Sequence, residues 1–159
     1  MSHLVSIALD DAGRAPPTSE MEQERRVAVH DLLEDNVFAL PPREGQPRQE
    51  GPFALVLAIR ERRLVFDLSA PDGAPAGEFH LSLGPFRQVV KDYFQICESY
   101  DEAVKTLPPG QIETIDMARR GIHDEGARVL QERLEGKAEV DTDTARRLFT
   151  LICVLHFGR

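Results

Sequence analysis

The sequence predicts an α+β fold: an antiparallel sheet of about four strands, helices packed on one face, and a buried C-terminal helix. Three observations carry that expectation. Between Leu148 and Phe157 only Thr150 and His156 are polar, so this segment has no solvent-facing side and must be enclosed by other elements. From Phe53 to Leu83 three short apolar or alternating stretches are joined by turn residues, as in an antiparallel meander. After Gly84-Pro85 the apolar period changes from two to about 3.6 residues.

Each element follows from its own residues. Leu4 to Leu9 alternates, with Val5, Ile7 and Leu9 on one face, and reads as a strand that joins the sheet. Asp10 to Gly13 turns the chain, and Pro16-Pro17 keeps it extended. Ser19 and Glu22 have capping-box spacing, and Glu20, Glu22 and Glu24 crowd a first turn where the helix dipole favours acids. A helix over 19–36 follows, with its apolar stripe through Met21, Ala28, Val29, Leu32 and Leu33. Val37 to Leu40 adds a short extended segment. Pro, Gly, Gln and charged residues fill 41–52, which is expected as a flexible loop within one domain spanning 1–159.

Phe53–Ile59 and Leu64–Ser69 flank the exposed hairpin tip Arg60-Glu61-Arg62-Arg63. Pro71-Asp72-Gly73 makes a turn, and Glu78–Leu83 alternates with Phe79, Leu81 and Leu83 inward. Pro85 suits the first position of a helix running to about Leu107. Its stripe is Phe86, Val89, Val90, Tyr93, Phe94, Cys97, Tyr100, Val104 and Leu107, and Pro108-Pro109-Gly110 ends it. The next helix starts near Gln111 and turns Ile112, Ile115, Ala118, Ile122, Val129, Leu130 and Leu134 inward. It contains Gly121 and Gly126, each worth roughly 1 kcal/mol against helix relative to alanine. They predict a break near Gly121, or a place where another backbone or a ligand comes close. Asp141, Thr142 and Asp143 offer N-cap oxygens to the last helix, whose apolar run is about half the ~20 residues needed to cross a bilayer.

Composition limits the function classes. The chain has 159 residues and a formal net charge of −8. Its first fifty residues carry 10 acids against 5 arginines. That balance argues against a general nucleic-acid binder, which needs a basic surface to displace counterions. No signal peptide is expected, because Met1 to Asp10 lacks a basic region and a long apolar run. Cys97 and Cys153 lie within apolar helical patterns and read as buried free thiols of a reducing cytoplasm, a disulfide or metal pair being the alternative.

The strong catalytic motifs are missing: there is no P-loop, Gly-rich dinucleotide turn, His-Glu-x-x-His, Cys-x-x-Cys or Gly-x-Ser-x-Gly. The best candidate is the segment from Asp116 to Gly126. On a helix Asp116, Arg119, Arg120 and His123 share a polar face, and a histidine beside arginines suits an anion or a proton transfer to one. Ordinary surface ion pairs explain the same residues more plainly. Arg87 and Lys91, one turn apart at a helix start, are cations where the dipole disfavours them. An anion at that end accounts for them, as would salt bridges to Asp92 or Glu98. Arg146-Arg147 open the last helix, with Asp141 and Asp143 as local partners. His80 is read as a surface residue, and nothing in the spacing of His80, His123 and His156 makes them converge on a metal.

With these residues in view the chain resembles a known bacterial family. Glu22–Ala28, Phe79–Val90 running on to Tyr100, Arg119-Arg120-Gly121-Ile122-His123, and Glu139–Arg147 running on to His156 are similar to the uncharacterised protein family numbered 0262, found mostly in alphaproteobacteria. The resemblance covers nearly the whole chain and departs chiefly at 41–52. It implies no reaction, cofactor or catalytic residue.

The expectation is therefore a cytoplasmic binding or regulatory module, without cofactor, membrane or nucleic-acid partner. Its small anionic ligand would sit where 119–126 meets the Arg87/Lys91 helix start, with Arg119, Arg120, Arg146 and Arg147 as further binding residues. The alternatives are an enzyme on a phosphorylated or carboxylated metabolite, with His123 as acid/base, and a structural protein that forms a homodimer or docks a protein partner.

Overall fold

The computed structural model describes residues 2–11 and 18–157. In chain order the elements are β1 (Leu4–Asp10), α1 (Ser19–Glu34), β2 (Phe38–Ala39), β3 (Phe53–Arg60), β4 (Arg63–Ser69) and β5 (Pro75–Ser82). A single 3-10 turn (Gly84–Phe86) then leads into α2 (Arg87–Thr106), α3 (Pro109–Leu134), β6 (Glu139–Val140) and α4 (Thr142–His156). The fold is α+β, and the turn chemistry at Asp10–Gly13 and Pro16-Pro17 lies in part outside the described residues.

The main sheet has the order β1-β3-β4-β5. β3, β4 and β5 form the expected antiparallel meander, but β1 runs parallel to β3. The reason is the connection: α1 carries the chain back along the sheet, so the next strand sets off in the same direction. A second difference lies inside β1. Leu4 pairs with Phe53 and Ser6 with Ala54, so Val5 is the extra residue of a bulge. Leu4, Ile7 and Leu9 therefore face the core, and Val5 is 44% exposed. Asn36 stands beside this strand: Leu4 N–H donates to its Oδ1 at 2.7 Å, and its Nδ2 donates to Leu4 C=O at 3.0 Å.

One face of the sheet carries Phe53, Leu55, Leu57, Leu64, Phe66 and Leu68, all buried in the core that it shares with the helices. α4 forms the centre of that core. Every residue from Leu148 to Leu155 is buried, and the helix packs on α1, α3 and β3. Its start is fixed by Asp141, whose Oδ1 accepts Thr144 N–H at 2.9 Å, a cap worth about 1 kcal/mol. Thr144 in turn accepts Val37 N–H at 2.9 Å, which ties the cap to the chain entering β2. β2 does not extend the main sheet; it pairs with β6 as a separate two-stranded ribbon.

Three further differences have local causes. Thr18 caps α1 in place of Ser19, accepting Met21 N–H at 3.1 Å. α3 runs unbroken through Gly121, which is exposed with nothing near it, whereas Gly126 lies against the Phe149 ring. A Cβ at Gly126 would fall 2.4 Å from Phe149 Cδ2, so glycine here lets α3 and α4 meet. The distal end of the α2–α3 hairpin is exposed at Val104, Leu107 and Met117, contrary to the long stripe read from α2. α3 has 26 residues and α4 only 15, so the hairpin reaches past the helix that would cover it. The segment 41–52 is irregular and is held near its end by Gly51 N–H on Ser2 Oγ at 2.9 Å. Among the described residues, no helix is long and apolar enough to cross a membrane.

Candidate functional site

α2 and α3 lie antiparallel, and their contacts set which residues meet. Tyr93 sits beside His123 with ring centroids 5.2 Å apart, and the Arg119 guanidinium stacks over Tyr100 at 4.3 Å. Arg87, six residues before Tyr93, is thus roughly 9 Å further along the helix axis from the His123 level. Two separate cavities result, and Glu24 of α1 lines both.

Glu24 joins three helices. Its Oε2 accepts the Tyr93 hydroxyl at 3.0 Å, and its Oε1 pairs with Arg119 at 3.3 Å. Arg119 also pairs with Asp116 at 3.0 Å. The Tyr93 side chain is fully buried, and burial followed by the Glu24 charge raises its phenol well above the ordinary tyrosine range.

The smaller cleft, about 320 Å³, is lined by Arg119, His123, Arg146 and Arg147 together with Glu24 and Asp31. Two of its three arginines are paired with acids. Arg119 is held by Glu24 and Asp116, Arg146 lies 3.4 Å from Asp124 and 3.9 Å from Asp143, and Arg147 donates to the Asp35 carbonyl at 3.4 Å. Arg120 pairs with Asp116 at 3.0 Å on the outer side and lines neither cavity. His123 is pushed down to about 4, first by burial and then by the Arg119 and Arg146 charges, so the imidazole is neutral near pH 7. Its Nε2 lies 3.3 Å from Thr150 Oγ1, whose own proton goes to the Arg146 carbonyl at 3.2 Å. A hydroxyl has one proton to give, so His123 Nε2–H must be the donor to Thr150.

The larger cavity, about 1090 Å³, opens between the start of α1, the β3–β4 hairpin tip, α2 and the end of α4. Its floor is apolar: Met21, Val90, Phe94 and Phe157, with the half-buried Cys97 thiol among them. Burial pushes that thiol up to about 11, which keeps it protonated. Arg62, Arg87 and Lys91 line one end, and among the described residues none of them forms an ion pair. The expected alternative, salt bridges from Arg87 or Lys91 to Asp92 or Glu98, is not formed; Asp92 accepts Gln88 Nε2–H at 2.9 Å instead. Arg62 reaches the site through a tight turn in which Glu61 and Arg62 take φ of 51° and 65°. That left-handed pair matches the twist of a two-residue hairpin, at a cost of about 1 kcal/mol or more for each non-glycine residue.

The sequence-derived residues thus divide into two groups. Arg119, His123, Arg146 and Arg147 come together in the small cleft, while Arg87 and Lys91 lie in the large cavity. His80 is a partly exposed residue bonded to Glu78, as expected. Sequence reasoning passed over Glu24 and Arg62 as site residues. For Glu24 a signal was present: it sits three residues after Met21 and four before Ala28, on the stripe that α1 buries. For Arg62 the signal was two non-glycine residues at a two-residue hairpin tip.

Among the described residues, no group of three or more His, Cys, Asp or Glu could hold a metal ion. No solved structure matches the chain. A UPF0262 protein of Cereibacter sphaeroides is 74% identical over 158 residues, covering 99% of this chain and 100% of the relative. UPF0262 proteins of Roseobacter denitrificans and Dinoroseobacter shibae are each 73% identical, with 99% of both chains covered. The model of the uncharacterised protein family UPF0262 matches residues 1–158, and this chain belongs to that family.

Proposed function

We propose that the protein is a cytoplasmic binding module that takes a small anionic ligand in the large cavity. One observation carries the reading: Arg62, Arg87 and Lys91 all line an apolar-floored cavity, and none of them forms an ion pair with a carboxylate of the described residues. Unpaired cations in a concave, partly apolar site have more to gain from a bound anion than cations already neutralised by neighbours. The small cleft has less of that property, because Arg119 and Arg146 are paired with acids and its histidine is neutral and hydrogen-bonded. The free thiols Cys97 and Cys153 suit a reducing compartment.

The test is calorimetric titration of the full chain with decanoate and with decyl phosphate. Binding that weakens by about tenfold or more in Arg87→Gln/Lys91→Gln, with Arg119→Gln as the comparison, supports the reading. No binding, or equal binding by the double variant, overturns it.

A second reading assigns acid/base chemistry to His123, and its support is a neutral imidazole near pH 7. It requires a substrate that displaces Thr150 or uses the other ring nitrogen. Turnover lost in His123→Gln and kept in Arg87→Gln/Lys91→Gln would favour it over the first.

A further inference from the structure

The face that α2 turns to the large cavity changes character along its length. Arg87, Val90 and Lys91 come first, then Phe94 and Cys97, then Glu98 and Asp101. Steps of three or four residues link them, through Arg87, Val90, Phe94, Cys97 and Asp101 and through Lys91, Phe94 and Glu98, so they form one continuous strip along the helix. Glu20 of α1 joins the acidic end, beside Glu24, which is already engaged by Tyr93 and Arg119. From Lys91 to Glu98 the helix advances about 10 Å, and from Lys91 to Asp101 about 15 Å. A cationic end and an acidic end are therefore separated by an apolar floor within one cavity.

An independent observation concerns the acidic end. Glu98 and Asp101 form no ion pair among the described residues, and Glu20 has only the neighbouring Ser19 hydroxyl at 3.3 Å. Burial and then the Glu20 charge raise the Asp101 carboxyl above its ordinary value, with Arg119 and Lys105 offsetting this in part. Like charges gathered at a cavity wall repel one another until an opposite charge enters. An ammonium group needs only hydrogen-bond acceptors on one side. A purely anionic amphiphile, by contrast, would bring its apolar tail against carboxylates.

Resting on the binding reading above, we infer that the ligand is elongated and dipolar: an anionic group held by Arg62, Arg87 and Lys91, an apolar span of about 10–15 Å over Phe94 and Cys97, and an amine held at the acidic end by Asp101 with Glu20 or Glu98. This class covers long ω-amino acids and short peptides with an apolar centre.

The test compares ω-aminodecanoate, decanoate and γ-aminobutanoate by calorimetry on the full chain, with Glu98→Gln/Asp101→Asn as the variant. These side chains lie at or near the surface, and a melting temperature equal to wild type confirms the fold. The expected result is that ω-aminodecanoate binds about tenfold tighter than decanoate, that γ-aminobutanoate is too short to bind, and that the variant abolishes the difference while retaining decanoate. Decanoate binding as tightly as ω-aminodecanoate overturns the dipolar ligand and leaves the anion site standing. Failure of both long probes removes the anion site and this inference together. Short peptides are compared in the same format, Asp-Leu-Leu-Lys against its C-terminal amide with the acid replaced by Asn, and equal binding of the two counts against the cationic end.

Discussion

Tyr93 donates its buried hydroxyl to Glu24 at 3.0 Å, across the interface between α2 and α1. The same carboxylate holds Arg119 of α3 at 3.3 Å, so one acid fixes the relative positions of three helices and forms the wall between two cavities. A partly buried carboxylate is retained where its lone pairs are used, and here both oxygens are.

Removing that acid tests the arrangement. Glu24→Ala is expected to destabilise the protein by about 2–3 kcal/mol, because it leaves a buried hydroxyl without its acceptor and a half-buried guanidinium with only one partner acid. Tyr93→Phe removes only the donor and should cost about 1 kcal/mol. The double variant should lose less than the two combined, since they share a bond. Urea denaturation measures all three, and strict additivity would show that the pair is not coupled.

The two glycines of α3 should respond in opposite ways. Gly126→Ala places a methyl group into the Phe149 ring and is expected to cost about 1–3 kcal/mol. Gly121→Ala meets open space on a continuous helix and should stabilise by up to about 1 kcal/mol. Melting temperatures that move in the same direction for both would contradict the packing described.

His123 should make stability depend on pH. Its folded value, about 4, lies below the ordinary histidine value of 6.5, so between these two the unfolded chain binds more protons. Stability is fully present above pH 6.5 and is lost as pH falls towards 4; the shift corresponds to roughly 3 kcal/mol at most. Below pH 4 this histidine contributes no further loss. The slope should flatten in His123→Gln. An imidazole NMR titration with its midpoint near 6.5 would rule the mechanism out.

The hairpin tip sets stability against binding. Glu61→Asn/Arg62→Gly supplies residues suited to left-handed φ and should stabilise by about 1–2 kcal/mol. The same change removes a cation from the large cavity and should weaken decanoate binding, whereas Glu61→Asn alone should keep it. If the double variant bound decanoate like wild type, Arg62 would have no part in the site.

How much of this was written in the sequence depends on the range of each interaction. The burial of α4 was legible because Leu148 to Phe157 leaves no polar face to offer water. The meander was legible because its turns are short and local. The parallel setting of β1 was not, since no feature of Leu4–Leu9 states which partner or direction it will take. The β1 bulge was hidden for the same reason, and alternation placed Val5 on the wrong face. Glycine composition announced a close approach in α3 without saying that Gly126, not Gly121, would make it. At the site, residue types were legible and their grouping was not. His123 and Arg87 belong to adjacent helices, yet the hairpin register sets them at different levels and in different cavities. That register depends on side-chain packing between Tyr93, Tyr100, Arg119 and His123, which no spacing rule encodes.

Asn36 imitates a neighbouring strand where β1 begins. Its amide uses the outward N–H and C=O of Leu4, and Phe38 N–H takes the Ser2 carbonyl at 3.1 Å just upstream. A second polypeptide seeking to lengthen the sheet would find those first positions already satisfied, leaving only the stretch from Ser6 onward as a template. Self-association by edge pairing on this side is thereby confined to a few residues, the last of them, Asp10, held by Arg60 at 3.0 Å.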